Sequence, residues 1–175
     1  SGSMVLTAQE TTEKEIRKAK KAEKKQQRIE EREKHFEVTR FILNTKNFVL
    51  EAHTLSNRYG SRIPVSSNLN FIYVDSSDAV IQTGNEFGIG YNGLGGVTAK
   101  GNITDWEVDV NEKKHIFQVK MNVMTQIGSY DVFMNIDARG NARATLHGVR
   151  GESITYTGQL YPANESVAYQ GYSSY

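Results

Sequence analysis

Between Gly95 and Leu160 apolar and polar residues alternate in run after run, and no other feature of the chain limits its fold so tightly. Trp106, Val108 and Val110 alternate with Glu107 and Asp109, and Phe117, Val119, Met121 and Val123 alternate with Gln118, Lys120 and Asn122. Tyr130, Val132, Met134 and Ile136 follow, then Ala142, Ala144 and Leu146, then Ile154 and Tyr156. A period of two is the mark of strands with one buried and one wet face. Turn clusters separate the runs at Gly101-Asn102, Asn111-Glu112-Lys113-Lys114, Gly128-Ser129, Arg139-Gly140-Asn141 and Arg150-Gly151. Short turns join antiparallel neighbours, so this stretch is a meander. Upstream, residues 46–54, 68–75 and 79–83 read as three more strands, the last two joined by Asp75-Ser76-Ser77-Asp78. The expected fold is mainly β: an antiparallel meander of about eight or nine strands closing to a barrel-like sheet or sandwich, behind one long N-terminal α-helix.

That helix is read over residues 12–43. Between Glu13 and Lys34 there are ten Lys/Arg and six Glu, with strong helix formers and no Gly or Pro. Thr12 and Glu15 have capping-box spacing. Ala19, Ala22, Gln26, Ile29, Glu33 and Phe36 form a thin stripe, too polar for a committed coiled coil. The segment becomes apolar from Phe36 to Leu43, where its last turns are expected to dock on the β domain. Residues 1–11 are expected to be a tag remnant, Ser1-Gly2-Ser3, and a disordered N-terminus. The β domain is read over residues 44–161, and residues 162–175 as a polar, Tyr-rich tail.

Composition narrows the function. No cysteine is present, so thiolate chemistry and Cys-ligated metals are excluded. A formal net charge of +1 selects neither nucleic acid nor membrane, and the six interleaved Glu halve the field of the basic helix. The strands carry few Lys or Arg, against single-stranded nucleic-acid binding. No run of ~18 apolar residues is present, so no transmembrane span is expected. His35, His53, His115 and His147 form none of the short metal-binding spacings, and no metal or cofactor is expected. No G-x-S-x-G elbow occurs, and Glu107, Asp109, Asp131 and Asp137 have no pattern that aims two carboxyls across a cleft. No catalytic residue is assigned.

The irregular part lies between Gly84 and Gly96, with six Gly in thirteen residues and Phe87, Ile89, Tyr91 and Leu94 among them. Gly88 to Gly93 spells G-x-G-x-x-G, but a strand pattern follows where a nucleotide fingerprint requires a helix. Aromatics on a Gly-rich loop can close over a ligand. The expected ligand contacts are therefore Phe87, Tyr91 and Trp106.

Several of these segments stand in the order of a known family. Phe48-Val49-Leu50-Glu51-Ala52, then Asn68 to Ala79 with Phe71, Tyr73 and Val74, then Gly95-Gly96-Val97-Thr98-Ala99-Lys100-Gly101-Asn102-Ile103 come first. Asp137, Gly140, Ala142, Ala144 and Leu146 follow, and Ser153 to Leu160 closes the series. In this the chain resembles the domain-of-unknown-function family 4251 of Bacteroidetes. The family's Leu-Pro-aromatic-Gly segment has no counterpart, since Gly84 to Tyr91 holds no Pro. The resemblance implies no assigned activity. It implies export to the cell envelope, in the periplasm or at the outer-membrane surface, often as a lipoprotein, with a signal and lipid anchor upstream of Met4. The expected function is a non-catalytic envelope protein that binds a small ligand or an envelope protein. The alternatives are a hydrolase acting on envelope or glycan material, and a structural spacer on a lipid anchor.

Overall fold

The structure is a computed structural model that describes residues 2–84 and 97–170. Helix α1 spans Ser3–Thr45. Strands β1 (Asn47–Asn57), β2 (Arg62–Pro64), β3 (Phe71–Asp75) and β4 (Asp78–Thr83) follow. After them come β5 (Val97–Asn111), β6 (Ile116–Thr125), β7 (Gly128–Asp137), β8 (Asn141–Gly148) and β9 (Ser153–Pro162). A 3₁₀ turn (Ala163–Glu165) and a short helix α2 (Val167–Gln170) end the described chain.

Every strand pairing is antiparallel, in the order β2-β1-β3-β4-β5-β6-β7-β8-β9, and β1 also pairs with β9. That last ladder, from Phe48↔Pro162 to Asn57↔Ile154, closes eight strands into a barrel. The short β2 lies on the outer half of β1, Thr54↔Pro64 to Ser56↔Arg62. Closure removes the sheet edges that would otherwise template aggregation.

The alternation in the sequence is the inward face of this barrel. Phe117, Val119, Met121, Val123, Val132, Met134, Ile136, Ala142, Ala144, Leu146 and Tyr156 are all buried, together with Phe48, Leu50, Ile72 and Val74 from the first strands. Side chains fill the interior, as expected for a barrel of about eight strands. A second, smaller core lies outside the wall, where Val49 and Phe71 meet Ala163 and Ala168. Buried Glu51 joins the two layers: its Oε1 accepts from Ser166 Oγ at 2.6 Å and from the Val167 amide at 2.8 Å. The carboxylate thus holds the start of α2, where amides lack helical partners. At least to Ala168, the polar tail is therefore folded onto the barrel.

Three boundaries differ from the sequence reading. The helix starts at Ser3, within the stretch expected to be disordered, because nothing from there to Thr45 breaks it. Thr7, Thr11 and Thr12 turn their hydroxyls back to carbonyls three or four residues earlier, so Thr12 does not cap. Gly101 makes no turn. It lies inside β5, where a Cβ would meet Met124 O at 2.1 Å, so the glycine permits close approach of β6 rather than a reversal. Finally, residues 55–67, which lie between the first two strands expected from the sequence, contain the end of β1 and all of β2.

The register gives the barrel two ends. At one lie the start of β1, the β3–β4, β5–β6 and β7–β8 turns, and the docked part of α1. At the other, the far end, lie the β1–β2, β6–β7 and β8–β9 turns, the residues before β3, and the flanks of residues 85–96.

Candidate functional site

Trp106 is the expected site residue that the structure describes. It faces inward on β5, opposite Met121, and is half-buried against the core. The Phe48 ring lies 6.2 Å away, tilted by 49°, and Lys46 Nζ stands 5.1 Å from the indole centroid. Lys46 itself ends α1 in the left-handed region at φ 49°, which turns its side chain toward β5. The result is an aromatic ring with a cation on it at the helix end, a contact worth about 0.5–1 kcal/mol where exposed.

Phe87 and Tyr91 lie outside the described residues. The strand ends that flank them are Gly84, whose amide donates to Asn70 Oδ1 at 2.8 Å, and Val97, both at the far end. Trp106 is nine positions further along β5 from Val97, about 30 Å of extended strand. The wall of the barrel does not bring Trp106 to those strand ends.

The far end has its own polar cluster. Tyr156 is fully buried; its hydroxyl donates to the Gln82 carbonyl at 3.1 Å and shares a 2.5 Å hydrogen bond with Thr83 Oγ1. Burial pushes this phenol far above the ordinary range, and the Thr83 bond pulls it partly back. Between the β6–β7 and β8–β9 turns is a depression of about 30 Å³ lined by Ile127, Ser129, Tyr130, Val149 and Arg150. That is room for about one water molecule.

Of the other titratable candidates, His115, Asp131 and Asp137 serve the fold. His115 bonds Glu33 Oε1 through Nε2 at 2.5 Å and packs edge-on against Phe36. His35, His53 and His147 are exposed at separate places. Glu107 and Asp109 are exposed on β5 opposite Lys120 and Gln118. Asp131 accepts from Asn122 at 2.8 Å, and Asp137 holds the β7–β8 turn by accepting from the Arg139 and Asn141 amides. Among the described residues no group of three His, Cys, Asp or Glu is placed to hold a metal ion.

Sequence reasoning missed the clasp around α1. Arg40 makes a two-pronged contact with Glu112 at 2.8 and 2.9 Å, Arg32 donates to the Lys114 carbonyl, and Thr39 Oγ1 donates to the Ala138 carbonyl at 2.9 Å. Every one of these pairs joins residues far apart in the chain, so no local pattern announces it.

No curated protein matches the chain. The crystal structure of a DUF4251 family protein from Bacteroides eggerthii is similar, with a TM-score of 0.68 and 26% identity over 80% of this chain and 95% of that one. The family model "Domain of unknown function (DUF4251)" matches residues 30–160, from the exposed turns just before the docked part of α1 to near the end of the closing strand. The filled barrel and the helix that closes on it are thus the part of the molecule held in common, and the chain belongs to the DUF4251 family.

Proposed function

We propose that this protein is a non-catalytic module of the cell envelope, a barrel that binds a ligand or a protein partner and is carried on a helical arm. The observation that carries the reading is the contrast between its two parts. The barrel interior is packed with side chains, which leaves the rims and walls as the surfaces for recognition. The arm, residues 4–35 of α1, is exposed throughout, a shape suited to holding the barrel away from whatever precedes it. The envelope assignment rests on the family resemblance, and a lipid anchor upstream of the arm would make the arm a spacer.

Phe87 and Tyr91 are the ligand contacts to test at the Gly-rich segment, and Trp106 at the helix end. Trp106 is the single tryptophan, so its emission reports on its own surroundings. Titration with envelope glycan fragments and peptides should change Trp106 emission or the unfolding midpoint. Phe87→Ala, Tyr91→Ala or Trp106→Ala should weaken binding about tenfold, the loss of one well-packed aromatic contact. Unchanged affinity in all three ends the site assignment. Turnover of a fragment ends the non-catalytic reading, and recovery of the native gene product in the cytosol ends the envelope assignment.

A further inference from the structure

The barrel's exposed apolar side chains are unevenly placed. Outside α1, the large hydrophobics that stand exposed among the described residues are Tyr59, Leu69, Val110, Met124, Ile127, Val149 and Val167. Five of these seven, all but Val110 and Val167, lie at the far end. The most prominent occupy separate turns: Tyr59 is 78% exposed on β1–β2, Ile127 58% on β6–β7 and Val149 75% on β8–β9. Gly128 and Val149 are neighbours, so the last two turns adjoin.

Among the described turns at this end, charge has one dominant sign. The turns 57–62, 65–70, 125–128 and 148–153 carry Arg58, Arg62 and Arg150 against a single acid, Glu152. Glu152 is engaged by the Arg150 amide at 3.1 Å. Arg58 lies against the Tyr59 ring at 4.9 Å and donates to its hydroxyl at 2.8 Å, and Arg150 follows Val149 directly. Arg58 and Arg150 are thus each set beside an apolar tip.

We infer that the far rim of the barrel docks on an anionic lipid surface, with Tyr59, Ile127 and Val149 entering the headgroup boundary and Arg58, Arg62 and Arg150 meeting lipid phosphates. Apolar tips beside cations suit a lipid interface, where tyrosine also sits well, and anionic headgroups attract each nearby cation. A protein partner is a poorer fit. Three small tips on turns, two of them next to an arginine, offer little area, while a stable protein interface needs about 1,000 Å² of well-packed contact. The inference rests on the reading of the barrel as a binding module, and gives that module a surface and a partner chemistry.

The chain has no cysteine, so single labels report cleanly. Ile127→Cys and Ile16→Cys, each in the full chain, would carry an environment-sensitive fluorophore and be mixed with phosphatidylcholine vesicles with and without phosphatidylglycerol. The expected result is a blue shift at position 127 on the anionic vesicles. Arg58→Gln with Arg150→Gln should then weaken binding about fivefold per arginine lost, and Tyr59→Ser with Val149→Ser should abolish the shift in a protein whose unfolding midpoint is retained. No shift at position 127 overturns the proposal, as does a shift confined to position 16, which would make the basic arm the membrane contact. A concentration-dependent shift at position 127 without vesicles also overturns it, because a second copy would then cover the rim. None of these failures touches the glycan and peptide titrations, which test the binding reading separately.

Discussion

Tyr156 and Gly158 sit two residues apart on the strand that closes the barrel, and each is set by what β9 must meet there. Gly158 faces Ala52 across the β1–β9 ladder, where a Cβ would fall 1.7 Å from the Glu51 carbonyl oxygen, so no larger residue fits without moving β1. Tyr156 buries its ring in the core and spends its hydroxyl on Gln82 and Thr83. Removing that hydroxyl leaves two partly buried polar groups short of a partner, at about 1 kcal/mol or more. Tyr156→Phe should therefore lower the unfolding free energy by that amount at pH 8. The gap should then close at high pH. A phenol in the unfolded chain loses its proton near about pH 10, while burial keeps the native one protonated well beyond that. Above this value the native state binds more protons than the unfolded one. Wild-type stability from this group is then fully present below about pH 10 and falls by up to about 1.4 kcal/mol per pH unit above it. Urea unfolding of both proteins at pH 8 and pH 11 checks the sign, and a gap that stays constant would mean the phenol is not held neutral by the fold.

At the scale of elements, the meander was legible because period two is local: the Phe117, Val132 and Ala142 runs needed only their own letters to be assigned inward. The docking of α1 was legible for the same reason at Phe36 and Leu43, which are buried, whereas Val38 and Phe41 proved to be exposed on the opposite face. What could not be read were the partners. Phe36 stacks on Phe117 at 4.7 Å, and Arg40 crosses to Glu112, contacts that exist only once the β5–β6 hairpin folds against the helix. Glu51 is a similar case: it is buried because Ser166 and the start of α2 come to it, and nothing near it in the sequence marks that contact. The expected ligand contacts were chosen by residue type alone, and of the three only Trp106 lies among the described residues. Phe36→Ala should cost about 3–5 kcal/mol where the helix docks. Hydrogen exchange should show it as lost protection across residues 36–43 with the β7 amides of the wall unchanged. Equal loss in both places would show that the helix end and the barrel unfold as one unit.

Taken as a whole molecule, the protein divides its stability unequally between barrel and arm. The barrel owes its persistence to burial in one core that its eight strands share and to the β1–β9 ladder, which joins the first strand to the last. The arm from residue 4 to residue 35 buries nothing against the barrel, apart from the Arg32 and Glu33 side chains that reach the β5–β6 turn, and its helicity depends on propensity and on neighbouring pairs such as Gln26 with Glu30. An α-helix of this length, 43 residues, runs about 64 Å at 1.5 Å per residue. A helix that is polar all round gains little from packing, so its hydrogen bonds should open independently of the core. Lys21→Pro tests the division. Proline at that site removes an amide and clashes with the preceding turn, costing the arm about 3 kcal/mol. Far-UV ellipticity should drop, and small-angle scattering should show a shorter or bent particle, while the barrel's unfolding midpoint should move by no more than about 1 °C because no core contact is lost. A large fall in the midpoint would show that the arm is coupled to the barrel core, and the picture of a barrel carried on an independent arm would have to be abandoned.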